Sequence, residues 1–260
     1  MQTDPDGFHA SIPLDIPTPT MTSTDSPVLI HEKSEGVVTL TLNRPEKRNA
    51  INNAMARSLL SALAQADAQD DVRAVLLRGN GLAFCAGRDV SEPPTEEDLE
   101  LTQQVARAIV QCRKPVVAAV HGWVVGAGLE WMLDADVVIA ADTARFKLPE
   151  ASLGVFVTGG ISAVLPAIAG LSRAKAMMLL GEPFSAQQAL DWGIVWRVVP
   201  QSSLAQQSMD CAQQLAALSP SVAAHFKRVI NGLGLPEFER AIQMESDAQR
   251  ALMALTNGAQ

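Results

Sequence analysis

The sequence predicts an α/β fold, and three observations carry that prediction. Apolar, β-type runs alternate with segments of helical period from Val28 to Ala140. A glycine-rich turn, Gly122-Trp123-Val124-Val125-Gly126-Ala127-Gly128, joins one of those runs to a helical segment. From Gly159 onward the pattern is largely helical, and no internal repeat is present.

Taken in order, residues Met1 to Pro27 are rich in Pro, Thr, Ser and Asp and lack hydrophobic periodicity, which predicts a flexible tail (residues 1–27) with Met21 as an alternative start. The folded core is expected over residues 28–200. Val28 to Lys33 and Gly36 to Leu42 alternate as two strands paired across Ser34-Glu35-Gly36. A helix from about Asn52 to Gln69 follows, then a strand from Val72 to Arg78 and a loop holding Phe84-Cys85-Ala86-Gly87-Arg88-Asp89. The next helix runs from Glu96 to Cys112, with strands at Val116 to Val120 and Val137 to Ala140 on either side of the glycine turn and its helix. Helical patterns then occur near 161–169, 173–180, 186–192, 203–218, 221–231 and 237–255, the last three within a helical C-terminal region, residues 201–260.

With 260 residues, 48% of them hydrophobic, the chain buries a sizeable core. A net charge of −8 opposes nucleic acid as a partner, so an anionic ligand needs a local basic patch. Cys85, Cys112 and Cys211 are odd in number and far apart, which suggests neither a disulfide framework nor a metal site and points to a reducing, cytoplasmic setting. No apolar run approaches membrane-spanning length.

The chemistry concentrates around two acids. If a helix begins near Ala127, its first N–H groups lack intrahelical partners and are placed to bind a developing anion. Glu130 lies three residues along the same face, and its side chain leans back toward those donors. Pro149-Glu150 adds a second carboxyl twenty residues later. Taken alone, each glycine-rich stretch has an equally good reading as a tight βα turn, and each glutamate has one as an ordinary helix-surface or helix-start residue.

The order Asn43-Arg44-Pro45-Glu46-Lys47-Arg48-Asn49-Ala50-Ile51-Asn52, then Phe84 to Val90, then His121 to Glu130, then Leu148-Pro149-Glu150-Ala151-Ser152-Leu153-Gly154, resembles the crotonase superfamily and within it the enoyl-CoA hydratase/isomerase branch. The likeness runs from about Val28 to Glu245 and takes in Ala186 to Val195 as a helix and following strand. It implies a crotonase-like spiral of βαβ units with two roughly perpendicular sheets, a helical C-terminal region that packs homotrimers or dimers of trimers, and an acyl-CoA thioester substrate with no separate cofactor or metal. It further implies that the backbone N–H groups of Arg88 and Ala127 form an oxyanion hole for the thioester, with Glu130 and Glu150 as an acid/base pair. The substrate and its CoA moiety would contact Lys47, Arg48, Ala50, Ala86, Arg88, Asp89, Val90, Gly126, Ala127 and Pro149.

Bland alternatives stand beside these roles. The side chains of Lys47, Arg48 and Arg88 are equally well read as solvated surface charges, Asp89 as a loop tie, and Trp123, Trp131 and Phe156 as core rather than acyl pocket. His121 is expected to be structural. The run Gly154-Val155-Phe156-Val157-Thr158-Gly159-Gly160 departs from the proline and Gly-Ala-Gly-Gly of many relatives, and tyrosine is absent. The leading expectation is an enoyl-CoA hydratase. The alternatives are a double-bond isomerase, an acyl-CoA hydrolase, and a non-catalytic acyl-CoA-binding protein. A serine hydrolase and a dinucleotide-dependent oxidoreductase are disfavoured because neither glycine fingerprint is present.

Overall fold

The computed structural model describes residues 27–91 and 93–258; the expected N-terminal tail, apart from Pro27, lies outside them. Strands β1 (Leu29–Ser34) and β2 (Val37–Leu42) pair antiparallel with Ser34 opposite Val37. Their two-residue link, Glu35-Gly36, has φ of 50° and 79°, the positive pair that a tight right-twisted hairpin requires. Helix α1 (Asn53–Ala68) begins where the Asn52 side chain accepts the Met55 N–H at 2.9 Å. Its Met55, Leu59, Leu63 and Ala66 form the buried stripe. Strand β3 (Ala74–Gly79) starts two residues later than the apolar run suggests, because the Val72 N–H closes a turn on the Gln69 carbonyl.

Helix α2 (Glu96–Gln111) opens on a reciprocal cap between Thr95 and Asp98. The chain continues through β4 (Val116–Val120), β5 (Trp123–Val125), α3 (Ala127–Leu133), β6 (Val137–Ala141), β7 (Arg145–Lys147) and α4 (Glu150–Leu153). Next come α5 (Ile161–Ala169), α6 (Leu171–Leu180), β8 (Phe184–Ser185), α7 (Ala186–Asp191) and β9 (Arg197–Val199). Helices α8 (Leu204–Ala216), α9 (Pro220–Gly234) and α10 (Phe238–Gly258) complete the described chain.

Two sheets result. The larger has the order β1-β2-β3-β4-β6-β9 and is parallel from β2 onward. Its side chains alternate between two apolar layers: Val75 and Leu77 face the main core with α1, α2 and α3, whereas Ala74, Leu76 and Ile139 face Leu204, Ala212 and Ala216 of α8. The smaller sheet, β5-β7-β8, joins Val124, Phe146 and Phe184 to the main core, with the two phenylalanine rings stacked 5.1 Å apart. The strand expected at the end of 186–195 lies instead at Arg197–Val199, since Ile194 and Val195 turn back to bond the Ala189 carbonyl. Among the described residues no helix is long and apolar enough to cross a membrane.

Candidate active site

Two glycines bring the expected oxyanion donors together. Gly87 (φ 86°) and Gly126 (φ 52°) face each other so closely that a methyl group on Gly87 would stand 3.0 Å from the Val125 carbonyl oxygen and 3.7 Å from the Gly126 Cα. Only a residue without Cβ permits that approach, and it sets Arg88 beside Ala127. The Arg88 stretch is extended and bridged to Ile51: Ile51 N–H donates to the Gly87 carbonyl (2.8 Å) and Asp89 N–H to the Ile51 carbonyl (2.7 Å). Successive N–H groups of extended chain point in opposite directions, so the Arg88 N–H faces away from Ile51. Gly126 is the residue preceding α3, and its carbonyl accepts the Leu129 and Glu130 N–H groups, which leaves Ala127 as the first helical residue with no intrahelical acceptor for its own N–H.

Arg88, Ala127, Glu130 and Glu150 all line one cavity of about 520 Å³. Leu99, Leu153, Val155 and Phe156 give it an apolar wall. Glu130 is only 2% exposed. Its carboxylate does not turn back to its own helix end, as its position on α3 suggested; Oε2 accepts N–H bonds from Thr158 (2.9 Å) and Gly159 of the loop before α5. Burial raises the Glu130 carboxyl well above the usual carboxylate range, the charges of Glu150 and Glu245 add to this, and the two N–H donors oppose it. Glu150 begins α4 directly after Pro149. Burial pushes its carboxyl up to about 7, and its buried Oε2 has no hydrogen-bond partner among the described residues. Its Oε1 lies over Gly126, 2.6 Å from where a methyl group there would stand.

Ala86, Val90, Gly126 and Pro149 also line the cavity; Lys47, Arg48, Ala50 and Asp89 do not. Lys47 and Arg48 are exposed on a short 3-10 turn whose Arg48 carbonyl accepts the Ala86 N–H at 3.0 Å, so their backbone is one hydrogen bond from the cavity wall. The Ala50 carbonyl accepts from Arg44, and Asp89 ties the loop by accepting from the Ser91 N–H (3.2 Å) and from Arg44 (3.0 Å), bonds that hold its carboxyl down at about 2. Trp131 belongs to the core, its indole N–H on the Thr102 carbonyl, and Trp123 is not part of the cavity wall, whereas Phe156 is. The His121 ring contacts the Gly81 carbonyl oxygen at 2.9 Å, a loop tie. Cys85 packs under Gly128, and burial pushes its thiol up to about 12, which keeps it out of nucleophilic chemistry.

Three residues with no role in the sequence reading shape the site. Asn49 is fully buried with φ 56°; its amide nitrogen donates to the carbonyls of Asn80, Ala83 and Phe84, and its oxygen accepts the Arg44 N–H. It thereby binds the first motif to the loop that delivers Arg88. Glu245 and Gln249 of α10 hold the loop that bonds Glu130. The available signal was their position: both fall on the stripe of α10 that also carries Phe238, Ala241 and Ile242, where a polar residue is out of pattern.

A family model described as enoyl-CoA hydratase/isomerase matches residues 32–256. The chain is 35% identical over 232 residues to a protein of Escherichia coli (strain K12) named 1,2-epoxyphenylacetyl-CoA isomerase, covering 85% of this chain and 88% of that protein. It is 38% identical over 197 residues to the 2,3-dehydroadipyl-CoA hydratase of the same organism, covering 74% and 77%. A crystal structure of an enoyl-CoA hydratase from Mycobacterium avium subsp. paratuberculosis K-10 superposes with a TM-score of 0.84 at 32% identity, over 88% of this chain and 95% of that one. With its two sheets, paired glycine turns and matching motifs, the chain belongs to the enoyl-CoA hydratase/isomerase family of the crotonase superfamily.

Proposed function

We propose that this protein is an enoyl-CoA hydratase, which adds water across the double bond of a 2-enoyl-CoA thioester to give a 3-hydroxyacyl-CoA. The observation that carries the reading is that Glu130 and Glu150 open on one cavity beside the Arg88 and Ala127 backbone donors. Addition at the β carbon drives charge onto the thioester oxygen, and donors already in place stabilise that charge in the transition state. Removal of one such donor typically costs roughly 3 kcal/mol. The reaction needs a base for water and an acid for the α carbon. Two largely buried carboxyls on one cavity resist double ionisation, so the pair holding one proton is the working form. The Thr158 and Gly159 N–H groups favour the anion on Glu130, and the unpartnered Oε2 favours the neutral acid at Glu150. Glu130 then takes a proton from the water whose oxygen bonds the β carbon, and the Glu150 proton passes to the α carbon. Neither step calls for a metal or redox cofactor. Glu130→Gln and Glu150→Gln, shown to be folded, are each expected to lose hydration; parent-level activity in either refutes the pair.

Double-bond isomerisation is the second reading, favoured by the placement of Glu150 over Gly126, where one carboxyl alone can move a proton between carbons. Retained isomerisation in Glu130→Ala would select it.

The exposed Val222, Phe226, Val229, Ile230 and Leu233 form an apolar face on α9 suited to contact with further copies of the chain. A homotrimer or dimer of trimers, which the family resemblance implies, is proposed as the assembly that covers this face, and a monomeric mass by light scattering would contradict it. The three free thiols support a reducing cytoplasmic setting.

A further inference from the structure

The loop joining α4 to α5 is bonded by buried side chains from two helices. Phe156 N–H donates to Gln249 Oε1 at 2.7 Å, Thr158 and Gly159 N–H to Glu130 Oε2, and Gly160 and Ser162 N–H to the two oxygens of Glu245, each at 2.7 Å. Glu245 and Gln249 are four residues apart on one face of α10. Glu245 is 0% exposed and does not line the cavity. Gly160 (φ 83°) is also packed against Phe238 of α10, so closely that a methyl group would meet the ring.

A buried carboxylate is costly to keep for packing alone. Here it stands at the N-terminus of α5, where free N–H groups and the helix dipole favour an anion. We propose that Glu245 is a positioning residue for Glu130: by fixing Gly160 and the first turn of α5, it keeps the adjacent Thr158 and Gly159 N–H groups on Glu130 and so holds that carboxylate at the cavity. The proposal rests on the reading of Glu130 as the water-activating base.

It has an electrostatic side as well. Glu130 faces the charges of Glu150 on α4 and Glu245; Asp134 at the end of α3 faces both Glu130 and Glu245, with Lys227 on α9 as its cation. Burial raises the Glu245 carboxyl, and the Ser162 and Gly160 N–H groups oppose this. The Glu245 charge raises the Glu130 carboxyl. Neutralising it lets the pair lose its last proton at lower pH, so the alkaline limb of the rate profile moves down.

The test compares the parent with Glu245→Gln, which keeps the shape but not the charge, and Glu245→Asp, which keeps the charge but not the reach. Two readouts are taken: kcat and KM for 2-enoyl-CoA hydration across pH, and hydrogen exchange of the 156–162 amides. Glu245→Gln is expected to lower kcat roughly ten- to hundredfold, with KM within about threefold, a lowered alkaline limb, and faster exchange at Thr158 and Gly159. Glu245→Asp lowers kcat with the limb in place. If the Gln variant does not fold, the Asp variant carries both readouts. Unchanged kcat and unchanged protection of Thr158 and Gly159 overturn the proposal, as does lowered stability with those amides still protected. A parent that hydrates no enoyl-CoA refutes the hydratase reading instead, and amide exchange then decides the positioning role by itself.

Discussion

Replacing Gly126 by alanine attacks the site at its tightest point. The residue has φ 52° and ψ −129°, a region that is essentially glycine's own, so an alanine there costs about 1–3 kcal/mol in backbone strain. The added methyl group would also stand 2.6 Å from Glu150 Oε1, so the carboxyl must retreat by about 0.8 Å to reach the 3.4 Å of ordinary contact. A displacement near 1 Å at the chemistry costs on the order of a hundredfold in rate. Gly126→Ala is therefore expected to lose roughly a hundredfold in kcat for 2-enoyl-CoA hydration, followed by loss of the conjugated thioester absorbance. About 2 kcal/mol of lost stability in a chain this size lowers Tm by roughly 4–8 °C. Gly154→Ala is the control: φ is 70°, nothing lies within 4 Å of the new methyl group, and the cost is about 1–2 kcal/mol of strain, with kcat within about twofold. Equal kcat in the two variants would refute the reasoning, because backbone strain alone would then account for both.

The acid/base pair, the loop ties and the buried charges give three more expectations. Glu130→Gln and Glu150→Gln should each lower kcat by about 10²- to 10⁴-fold, with thermal unfolding showing the variants folded; a loss below about tenfold argues against proton transfer by that residue. The Glu150 carboxyl is raised from an ordinary value near 4.5 to about 7, so the folded state holds a proton that the unfolded chain releases. The stability this gives is fully present below about pH 4.5 and is lost as pH rises through about 7, a change on the order of 3 kcal/mol. Urea unfolding of Glu150→Gln should accordingly show a shallower fall in stability between pH 5 and pH 8 than the parent, and an identical slope would contradict the assignment. Asn49→Ala removes an amide that satisfies three carbonyls and one N–H, and should cost about 3 kcal/mol in urea unfolding; a cost under about 1 kcal/mol would show that the two loops hold together without it.

The long elements were legible because their signals are local. The helical period over 52–69 and 96–112 lies within α1 and α2 and their flanks, β2 alternates, and β4 is a continuous apolar run. The sheet β5-β7-β8 was not legible. Its strands are two or three residues long and each buries one side chain, Val124, Phe146 or Phe184, which is too little for an alternating pattern to emerge. Arg88, Ala127, Glu130 and Glu150 were readable as a set only through the resemblance of the ordered motifs to the crotonase superfamily, since each taken alone also reads as an ordinary turn or helix residue. Glu245 and Gln249 showed in sequence only as polar residues out of pattern on the α10 stripe, since their partners are backbone groups 83 to 93 residues away and only the folded path of α10 brings them together. Asp89 shows the converse: it sits within a recognised motif, yet its bonds to Ser91 and Arg44 make it a loop tie rather than part of the cavity wall.

The central claim is that one cavity, with two backbone donors and two carboxyls, adds water to an enoyl thioester. Its most direct test is to incubate the parent, Glu130→Gln and Glu150→Gln with a panel of short 2-enoyl-CoA thioesters, following the conjugated absorbance together with product mass and free thiol. The account predicts that the parent yields a product heavier by one water with the thioester intact, and that both variants fail to do so. Thiol release, a double bond moved without gain of mass, or no change on any thioester of the panel would contradict it.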